Sequence, residues 1–208
     1  MRVRIKICGM TRSEDAAAAA ALGVDAIGLV FYAKSPRNIG IERAQALVAG
    51  LTPFVTVTAL FLDPEAELVH EVMGRTRIEL LQFHGVEPPE FCRSFGRPYI
   101  KAVPMGSQVD LHEYARRHSQ AAALLLDSHV AGQKGGTGKS FDWSTIEKPD
   151  GLPLILAGGL KPENVAVAVR QVRPYGVDVS SGVESAPVVK DRDKMQVFVR
   201  EVNSVATA

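Results

Sequence analysis

The stretch that decides the fold is residues 122–140, AALLLDSHVAGQKGGTGKS, in which a short apolar run leads into a glycine- and lysine-rich loop. Its end, Gly-Lys-Ser, matches the end of the phosphate-binding motif G-x-x-x-x-G-K-[ST] of nucleotide hydrolases. With Gly138 as the second glycine, the first would fall where the chain has Gln133. Such a loop also opens into a helix, whereas the following FDWSTIEKPDG is a poor helix ended by Pro149. The pattern therefore argues against an ATPase or GTPase.

The apolar run in this stretch is one of eight runs of strand length that recur along the chain. Several are nearly continuous rather than alternating, which is typical of parallel strands buried on both faces. The predicted strands cover residues 2–8, 25–32, 56–62, 78–83, 99–103, 122–127, 153–158 and 176–181.

Helical patterns separate these strands. Thr11 and Glu14 have the spacing of a capping box, with Thr11 as the cap, and Pro64, Pro88 and Pro162 stand where first-turn prolines belong. The element after the sixth strand is weak, since DWSTIEK allows barely two turns. The other predicted helices cover an alanine-rich segment ending at residue 21, and residues 41–51, 64–74, 88–96, 110–118, 161–172 and 190–202.

Strands that alternate with helices indicate a parallel sheet. Eight such units predict an α/β protein, a single (β/α)8 (TIM) barrel domain spanning residues 1–208. A doubly wound open sheet is the structural alternative, but it would need an edge and a switch point, and the sequence gives no sign of either.

Composition and charge exclude several classes of protein. The 208 residues are 46% hydrophobic and 23% charged, and 24 basic residues nearly balance 23 acidic ones, so we expect neither nucleic acid nor a membrane as a partner. The apolar runs are too short to span a bilayer, and the first residues lack the features of a signal peptide. Two cysteines are too few for a disulfide framework, which favours a cytoplasmic location.

Barrel enzymes place their active sites at the carboxyl ends of the strands. Glycine turns after strands seven and eight, where barrels frequently bind phosphate, predict a phosphorylated small-molecule substrate because backbone N–H groups there face the ligand unobstructed. Neither a metal-binding helix nor a dinucleotide fingerprint is present in the sequence. The candidate site residues are Cys8, Arg37, Asp63, His84, Asp127, Gly158, Gly159, Ser180, Ser181 and Gly182.

A resemblance to a known family is specific at this point. In chain order stand KICGMT (6–11), SPR (35–37), LQFHG (81–85), LLLDS (124–128), GGTGKSFDW (135–143), LAGGLKPENV (156–165) and DVSSGVES (178–185). These resemble the motifs of phosphoribosylanthranilate isomerase, a barrel enzyme of tryptophan biosynthesis, over nearly the whole chain. The resemblance implies that N-(5-phosphoribosyl)anthranilate is converted to 1-(2-carboxyphenylamino)-1-deoxyribulose 5-phosphate by an Amadori rearrangement.

The resemblance also assigns roles to residues. It makes Cys8 the general base and Asp127 the general acid, and it places Arg37 at the anthranilate end of the substrate. The expected reaction needs no cofactor, because the imine intermediate is itself the electron sink, and no obligate protein partner is inferred. One residue departs from the family, since Val188 stands where a glycine is usual. That substitution leaves the path of the backbone after strand eight open.

The two catalytic groups need opposite protonation states. Asp127 must hold a proton and Cys8 must lose one, although free thiols titrate near ~8.5 and free aspartates near ~3.9. The site must therefore shift both pKa values, or work with a small fraction of each active form. Lys6 shares the parity of Cys8 on strand one, so we expect it to favour the thiolate electrostatically.

Several residues keep a simpler interpretation beside the functional one. Cys8 could be a small buried hydrophobe, Arg37 a solvated surface charge, and Asp127 a partner of a loop lysine. His84 either orients substrate or forms a hydrogen bond in the barrel mouth, while Asp63 is expected to cap the helix after it. Rival functions are another phosphosugar barrel enzyme, a noncatalytic phosphate-binding protein, and a second aminoaldose phosphate as substrate.

The glycine-rich loop itself, residues 131–140, is predicted to be a mobile lid over the barrel mouth. Lys134 and Lys139 would add positive charge that attracts a substrate carrying phosphate and carboxylate.

Overall fold

Eight parallel strands close into a barrel in the computed structural model, which describes residues 2–107, 109–128 and 142–205. Neighbours in sequence are neighbours in the barrel, and β1 pairs with β8 to close it. This confirms the predicted barrel and removes the open-sheet alternative. The strands are Arg4–Cys8 (β1), Ala26–Val30 (β2), Thr56–Phe61 (β3), Leu80–Phe83 (β4), Tyr99–Pro104 (β5), Ala123–Asp127 (β6), Leu154–Leu156 (β7) and Gly176–Val179 (β8).

Helices cover the outside of the barrel and bury one face each. In the helix that follows β7, the buried residues are Val165, Ala168, Val169 and Val172, the spacing of an apolar stripe at 3.6 residues per turn. A 3₁₀ helix, Trp143–Thr145, is the described element after β6, where the sequence predicted only a weak one. The α-helices are Ser13–Ala21 (α1), Ile41–Ala49 (α2), Ala66–Arg75 (α3), Pro89–Arg93 (α4), Leu111–Arg117 (α5), Val165–Val172 (α6) and Arg192–Ser204 (α7).

The predicted helix starts were wrong in detail. Thr11 does not cap α1: its hydroxyl donates to the carbonyl of Val188 at 3.1 Å, and Arg12 is the capping position without a side-chain bond. Pro64, Pro88 and Pro162 all precede the helices α3, α4 and α6 instead of lying in the first turn. Proline also fits the extended backbone that leads into a helix, as Pro88 does with φ −73° and ψ 158°.

Asp63 does not cap α3 either. Its backbone has φ 45°, and its carboxylate accepts a hydrogen bond from the N–H of Val86, 2.7 Å away in the loop after β4. The side chain of Asp63 therefore joins two neighbouring loops at the top of the barrel.

The carboxyl end of the barrel interior is unusually polar. Because successive side chains of a strand alternate in direction, Lys6 and Cys8 on β1, Gln82 on β4 and Asp127 on β6 share the inside of the barrel with Asp178 on β8. All five are buried. Buried polar and charged groups destabilise a fold unless they are paired, so their presence points to a site in this part of the barrel.

After β8 the chain forms a small addition to the barrel. A 3₁₀ turn, Ser181–Val183, leads into an antiparallel hairpin of Glu184–Ala186 (β9) and Val189–Lys190 (β10) that the sequence did not predict. Val188, in the turn of this hairpin, has φ 65°. Only glycine adopts that region readily, which explains why glycine is usual at this position in the family that the sequence resembles.

Within the described residues, no helix is long and apolar enough to cross a membrane.

Candidate active site

One pocket opens at the carboxyl ends of the strands, and nine of the ten candidate site residues line it. Strands β1, β2, β3, β4, β6, β7 and β8 and the loops after them contribute its wall. Asp63, which the sequence also brought forward, is not among the lining residues. The candidate residues in the wall are Cys8, Arg37, His84, Asp127, Gly158, Gly159, Ser180, Ser181 and Gly182.

Cys8 ends β1 and lies against β2, where Gly28 leaves room for it. A Cβ at Gly28 would lie 2.6 Å from the Cys8 sulfur, so only glycine fits beside the thiol. Burial raises the pKa of the Cys8 thiol, and the ammonium groups of Lys6 and Lys190 oppose that shift without cancelling it. The unliganded site therefore holds Cys8 mainly as the thiol near neutral pH, with two cations ready to stabilise the thiolate.

Lys6 lies on the same side of β1 as Cys8, as its parity predicted. Its Nζ donates to Asp178 Oδ2 at 2.8 Å, and both side chains are more than nine-tenths buried. Burial alone would lower the pKa of Lys6, but Asp178 and Cys8 outweigh burial and raise it overall. Lys6 is therefore a permanent positive charge next to the thiol.

Asp127 ends β6 and is in contact with His84, which follows β4. His84 Nε2 lies 3.0 Å from Asp127 Oδ2, and His84 Nδ1 lies 3.0 Å from the side-chain nitrogen of Gln82. The three side chains form a buried row from the barrel interior to its mouth. For His84, the structure thus shows a hydrogen bond in the barrel mouth.

Arg37 reaches over the pocket from the loop after β2 and is held by a carboxylate. Its Nε and Nη2 donate to the two oxygens of Glu184 at 2.7 and 2.8 Å, and Lys190 Nζ donates to the same carboxylate at 2.9 Å. Burial alone would raise the pKa of Glu184, yet Arg37 and Lys190 lower it overall. Arg37 passes over Gly9, the residue that follows β1. Gly9 has φ 76°, and a Cβ there would lie 2.4 Å from Arg37 Cδ, so glycine fits this position best.

The glycine turns after β7 and β8 line another part of the pocket wall. Gly158 and Gly159 have φ 76° and 69°, and a Cβ at Gly182 would lie 1.9 Å from the Leu160 carbonyl oxygen. None of these turn residues, nor Ser181, donates its backbone N–H to a group in the described part of the chain. Four donors without an internal partner are what an anion-binding turn offers.

Proteins of known sequence and structure show which family the chain belongs to. The family model for N-(5'phosphoribosyl)anthranilate (PRA) isomerase matches residues 5–201. The chain belongs to this family. It is accordingly an isomerase of tryptophan biosynthesis, and the function that the sequence motifs indicated is confirmed.

Relatives of this isomerase family match over their full length. The N-(5'-phosphoribosyl)anthranilate isomerase of Nitrosococcus oceani is 53% identical over 205 residues, which are 99% of this chain and 100% of the relative. The enzyme of Alcanivorax borkumensis is 51% identical over 212 residues, with 99% and 97% covered. Matches of this extent show that the whole barrel is shared.

Solved structures of the isomerase family agree with the fold. The phosphoribosyl anthranilate isomerase of Thermotoga maritima superposes with a TM-score of 0.88 at 41% identity, covering 96% of this chain and 98% of that one. A second isomerase structure, in complex with reduced 1-(o-carboxyphenylamino)-1-deoxyribulose 5-phosphate, has a TM-score of 0.81 at 38% identity, with 96% and 98% covered. The second protein thus binds a phosphorylated small molecule.

The sequence did not single out four polar residues near the site. Gln82 and Asp178 line the pocket, while Glu184 holds Arg37 and Lys190 pairs with the same Glu184 carboxylate. Parity could have found the first two, because Gln82 stands two residues before His84, and Asp178 stands two before Ser180 on the same strand face. Glu184 lies in the motif DVSSGVES, but the sequence does not indicate that Glu184 or Lys190 takes part in holding Arg37, since both act from a hairpin that the sequence did not predict.

Two expectations lie outside the described residues. The lid at 131–140 and the charges of Lys134 and Lys139 belong to the segment between residues 128 and 142. In the described part of the chain, no three His, Cys, Asp or Glu side chains are grouped so that they could hold a metal ion.

Proposed function

We propose that Cys8 is the general base and Asp127 the general acid with which this isomerase rearranges N-(5'-phosphoribosyl)anthranilate. The observation that carries this assignment is the placement of a thiol and a carboxyl group in one pocket, at the ends of β1 and β6. The two strands approach the pocket from different sides, so a substrate between them could meet an acid at one atom and a base at another.

The phosphate of the substrate would bind at the glycine turns. The N–H groups of Gly158, Gly159, Ser181 and Gly182 are available as donors, and the missing side chains allow the backbone to approach an anion closely. This end anchors the ribose between the two catalytic strands. Inorganic phosphate should therefore inhibit competitively.

The anthranilate carboxylate would bind to Arg37. Nε and Nη2 of Arg37 are used by Glu184, and the guanidinium retains further N–H donors for a second carboxylate. Side chains in the same pocket wall, among them Tyr32, Leu60 and Leu62, would accept the aromatic ring. With both ends held, the reacting carbons lie between the ends of β1 and β6.

The acid step opens the ribose ring. Asp127, protonated, transfers its proton to the ring oxygen while the nitrogen lone pair forms the C1=N bond and the C1–O bond breaks. The products are a protonated Schiff base and an Asp127 carboxylate, so charge is conserved. His84, in contact with Asp127 Oδ2, holds the carboxyl group in place for this transfer.

The base step moves a proton from C2. The Cys8 thiolate removes it, and the C–H electrons form the C1=C2 bond while the C1=N electrons return to nitrogen. The resulting enolamine tautomerises to the ketone product. Because the imine accepts the electrons, the step needs no further electron acceptor, and Lys6 and Lys190 stabilise the thiolate that starts it.

The same proposal covers location and partners. Both cysteines, Cys8 and Cys92, are buried and free, which supports action in the reducing cytoplasm. We assign the chain a small phosphorylated substrate and no obligate protein partner.

Loss of the fluorescent anthranilate substrate tests the assignment. Asp127→Asn keeps the shape of the side chain and removes its transferable proton, so kcat should fall by about 10²–10⁴-fold. An already ring-opened substrate analogue should restore turnover, because it bypasses the acid step. Asp110→Asn, at the exposed start of α5, is the matched control and should turn over normally. If the ring-opened analogue restores nothing, Asp127 does not act in ring opening.

A further inference from the structure

Gln82 is a buried amide that the proposed acid–base steps do not use. It lies on β4 inside the barrel with no exposed surface, and its Oε1 has no hydrogen-bond partner among the described residues. A buried carbonyl without a partner destabilises a fold, and an apolar side chain of similar length would avoid the penalty. The reason for an amide at this position must therefore lie in its side-chain nitrogen.

That other atom determines the state of His84. The Gln82 side-chain nitrogen lies 3.0 Å from His84 Nδ1, and an amide nitrogen can only donate. Nδ1 must accept with its lone pair, so it carries no proton. The imidazole is therefore neutral with its proton on Nε2, and Nε2–H donates to Asp127 Oδ2 at 3.0 Å.

We propose that Gln82 is a positioning residue of the isomerase: its amide holds His84 neutral in the Nε2–H tautomer, so that a neutral donor and not a cation orients the acid Asp127. This inference rests on the proposed role of Asp127 as general acid. Gln82 does not touch the substrate in this account and acts only through His84.

The charges around His84 make such a device necessary. Asp127 faces it from β6, and Asp178 on β8 is close enough to interact electrostatically with both. Lys6 on β1 is paired with Asp178. Two neighbouring carboxyl groups would favour the imidazolium form of His84, and an imidazolium would in turn favour the carboxylate form of Asp127. An acid must hold its proton until it meets the ring oxygen, so a neutral histidine suits the acid step.

Reversing the amide would give the opposite chemistry. With Oε1 toward the ring, Nδ1 would have to carry a proton, and Nε2 of the neutral imidazole would present a lone pair to Asp127. His84 would then accept the proton that the substrate needs. The direction of one buried amide thus decides which way the Asp127–His84 hydrogen bond points.

¹⁵N NMR of histidine-labelled protein reads the tautomer directly, with His84→Asn used only to assign the signal. Wild type should show the Nε2–H form of His84 at neutral pH. Gln82→Glu offers only acceptor oxygens at Nδ1, so His84 should carry a proton on that nitrogen. Gln82→Met removes the donor while keeping the volume, and the Nε2–H tautomer should no longer be the single form of the ring.

Kinetics separate positioning from simple packing. Gln82→Met should lower kcat about tenfold and Gln82→Glu about a hundredfold or more, within the range of a perturbed general acid. KM should stay within about twofold, since the phosphate and anthranilate ends are untouched. The pH profile of kcat in Gln82→Met should differ from that of wild type, because no donor at Nδ1 fixes the tautomer of His84.

Thr58→Val is the matched control. Thr58 on β3 also buries a hydroxyl oxygen without a partner among the described residues. Its hydroxyl therefore forms no hydrogen bond with His84 or Asp127. Thr58→Val should melt at or above the wild-type temperature, because it removes an unpaired buried oxygen. Gln82→Met removes such an oxygen too but also the hydrogen bond to His84 Nδ1, so it should melt near the wild-type temperature. Only Gln82→Met should lose turnover.

Two results would overturn the inference. One is a wild-type His84 that carries its proton on Nδ1 or is imidazolium at neutral pH. The other is a folded Gln82→Met with wild-type kcat and pH profile. If instead Asp127→Asn stays fully active while the NMR shows the Nε2–H form, the acid assignment fails and the tautomer stands. The two proposals are therefore tested separately.

Discussion

The two sides of the pocket solve opposite problems with different means. Around Cys8, on β1 and β8, charges are buried in pairs such as Lys6–Asp178, and the Arg37–Glu184 pair continues the same network outward. Around Asp127, on β4 and β6, the partners include a histidine backed by an amide and, at 3.5 Å, the hydroxyl of Ser128. One side is built from ions and the other from hydrogen bonds.

The difference follows from what each group must hold. A thiolate is an anion, and burial disfavours it unless cations are fixed nearby, as Lys6 and Lys190 are. A protonated carboxyl group is neutral, so burial does not disfavour it and a nearby cation would. Fixed cations on the base side therefore stabilise the thiolate, and neutral hydrogen-bond partners on the acid side stabilise the protonated carboxyl group. Removing groups from either side should show this in graded losses.

The largest effect is expected at the base itself. Cys8→Ser keeps the size of the side chain but replaces the thiol by a far weaker acid, so kcat should fall by about 10²–10⁴-fold with little change in KM. Steady-state assay of substrate loss measures both. Cys92→Ala is the matched control, because Cys92 is buried away from the pocket with its pKa raised to about 12 mainly by burial. Near-normal turnover in Cys8→Ser would remove the thiol from the mechanism.

A smaller loss is expected from the charge beside the base. Lys6 opposes the effect of burial on the pKa of Cys8, so Lys6→Met should raise that pKa further. Activity depends on the thiolate, whose fraction grows with pH, and the acidic limb of kcat/KM should therefore move to higher pH. At neutral pH the loss should be about ten- to a hundredfold, recovering as pH rises.

Alkylation of Cys8 as a function of pH measures the same shift without substrate, in a Cys92→Ala background that leaves one thiol. The Lys6→Met protein should alkylate more slowly at neutral pH. Thermal melting checks that the fold tolerates an unpaired Asp178. An acidic limb that stays in place would mean that Lys6 serves only the packing of the barrel.

The next effect concerns the outer ion pair. Glu184→Gln loses the charge that holds Arg37 by two hydrogen bonds, and such charge-assisted bidentate pairs fix geometry strongly. Arg37 should then be less well placed for the substrate carboxylate, and KM should rise about tenfold, which corresponds to ~1.4 kcal/mol. We expect kcat to change less than threefold or so, because acid and base are untouched.

Glu14→Gln is the control for that experiment, since Glu14 pairs with Arg12 on the exposed surface, where ion pairs contribute little. Its KM should match wild type. A fall in kcat with unchanged KM for Glu184→Gln would contradict a substrate-holding role of Arg37.

The sequence predicted the strands and the residues at their ends better than it predicted the contacts between loops. The barrel followed from eight buried strands, and strand ends located Cys8 and Asp127 because parallel strands finish at one face. Contacts made by loop residues were not predicted. The prediction that Thr11 caps α1 was wrong because its hydroxyl donates to the carbonyl of Val188, 177 residues away. A partner so distant in sequence leaves no local pattern, and the same holds for the Arg37–Glu184 pair. Short-range rules describe elements, whereas ion pairs between loops depend on the closed fold.

The smallest effect is expected where the hairpin of the base side turns. Val188 has φ 65°, a region that disfavours a branched side chain by about 1–2 kcal/mol, while glycine loses about 0.5–1 kcal/mol through its freer unfolded state. Val188→Gly should therefore stabilise the protein by up to about 1 kcal/mol, seen as a Tm higher by about 2–4 °C, with kcat unchanged. Val167→Gly, the same substitution on the exposed side of α6, should instead destabilise by a few tenths of a kcal/mol, roughly the difference in helix propensity. If Val188→Gly and Val167→Gly lower the Tm by the same amount, the backbone at Val188 is not strained. The hairpin on the base side of the pocket would then store no strain that the acid side lacks.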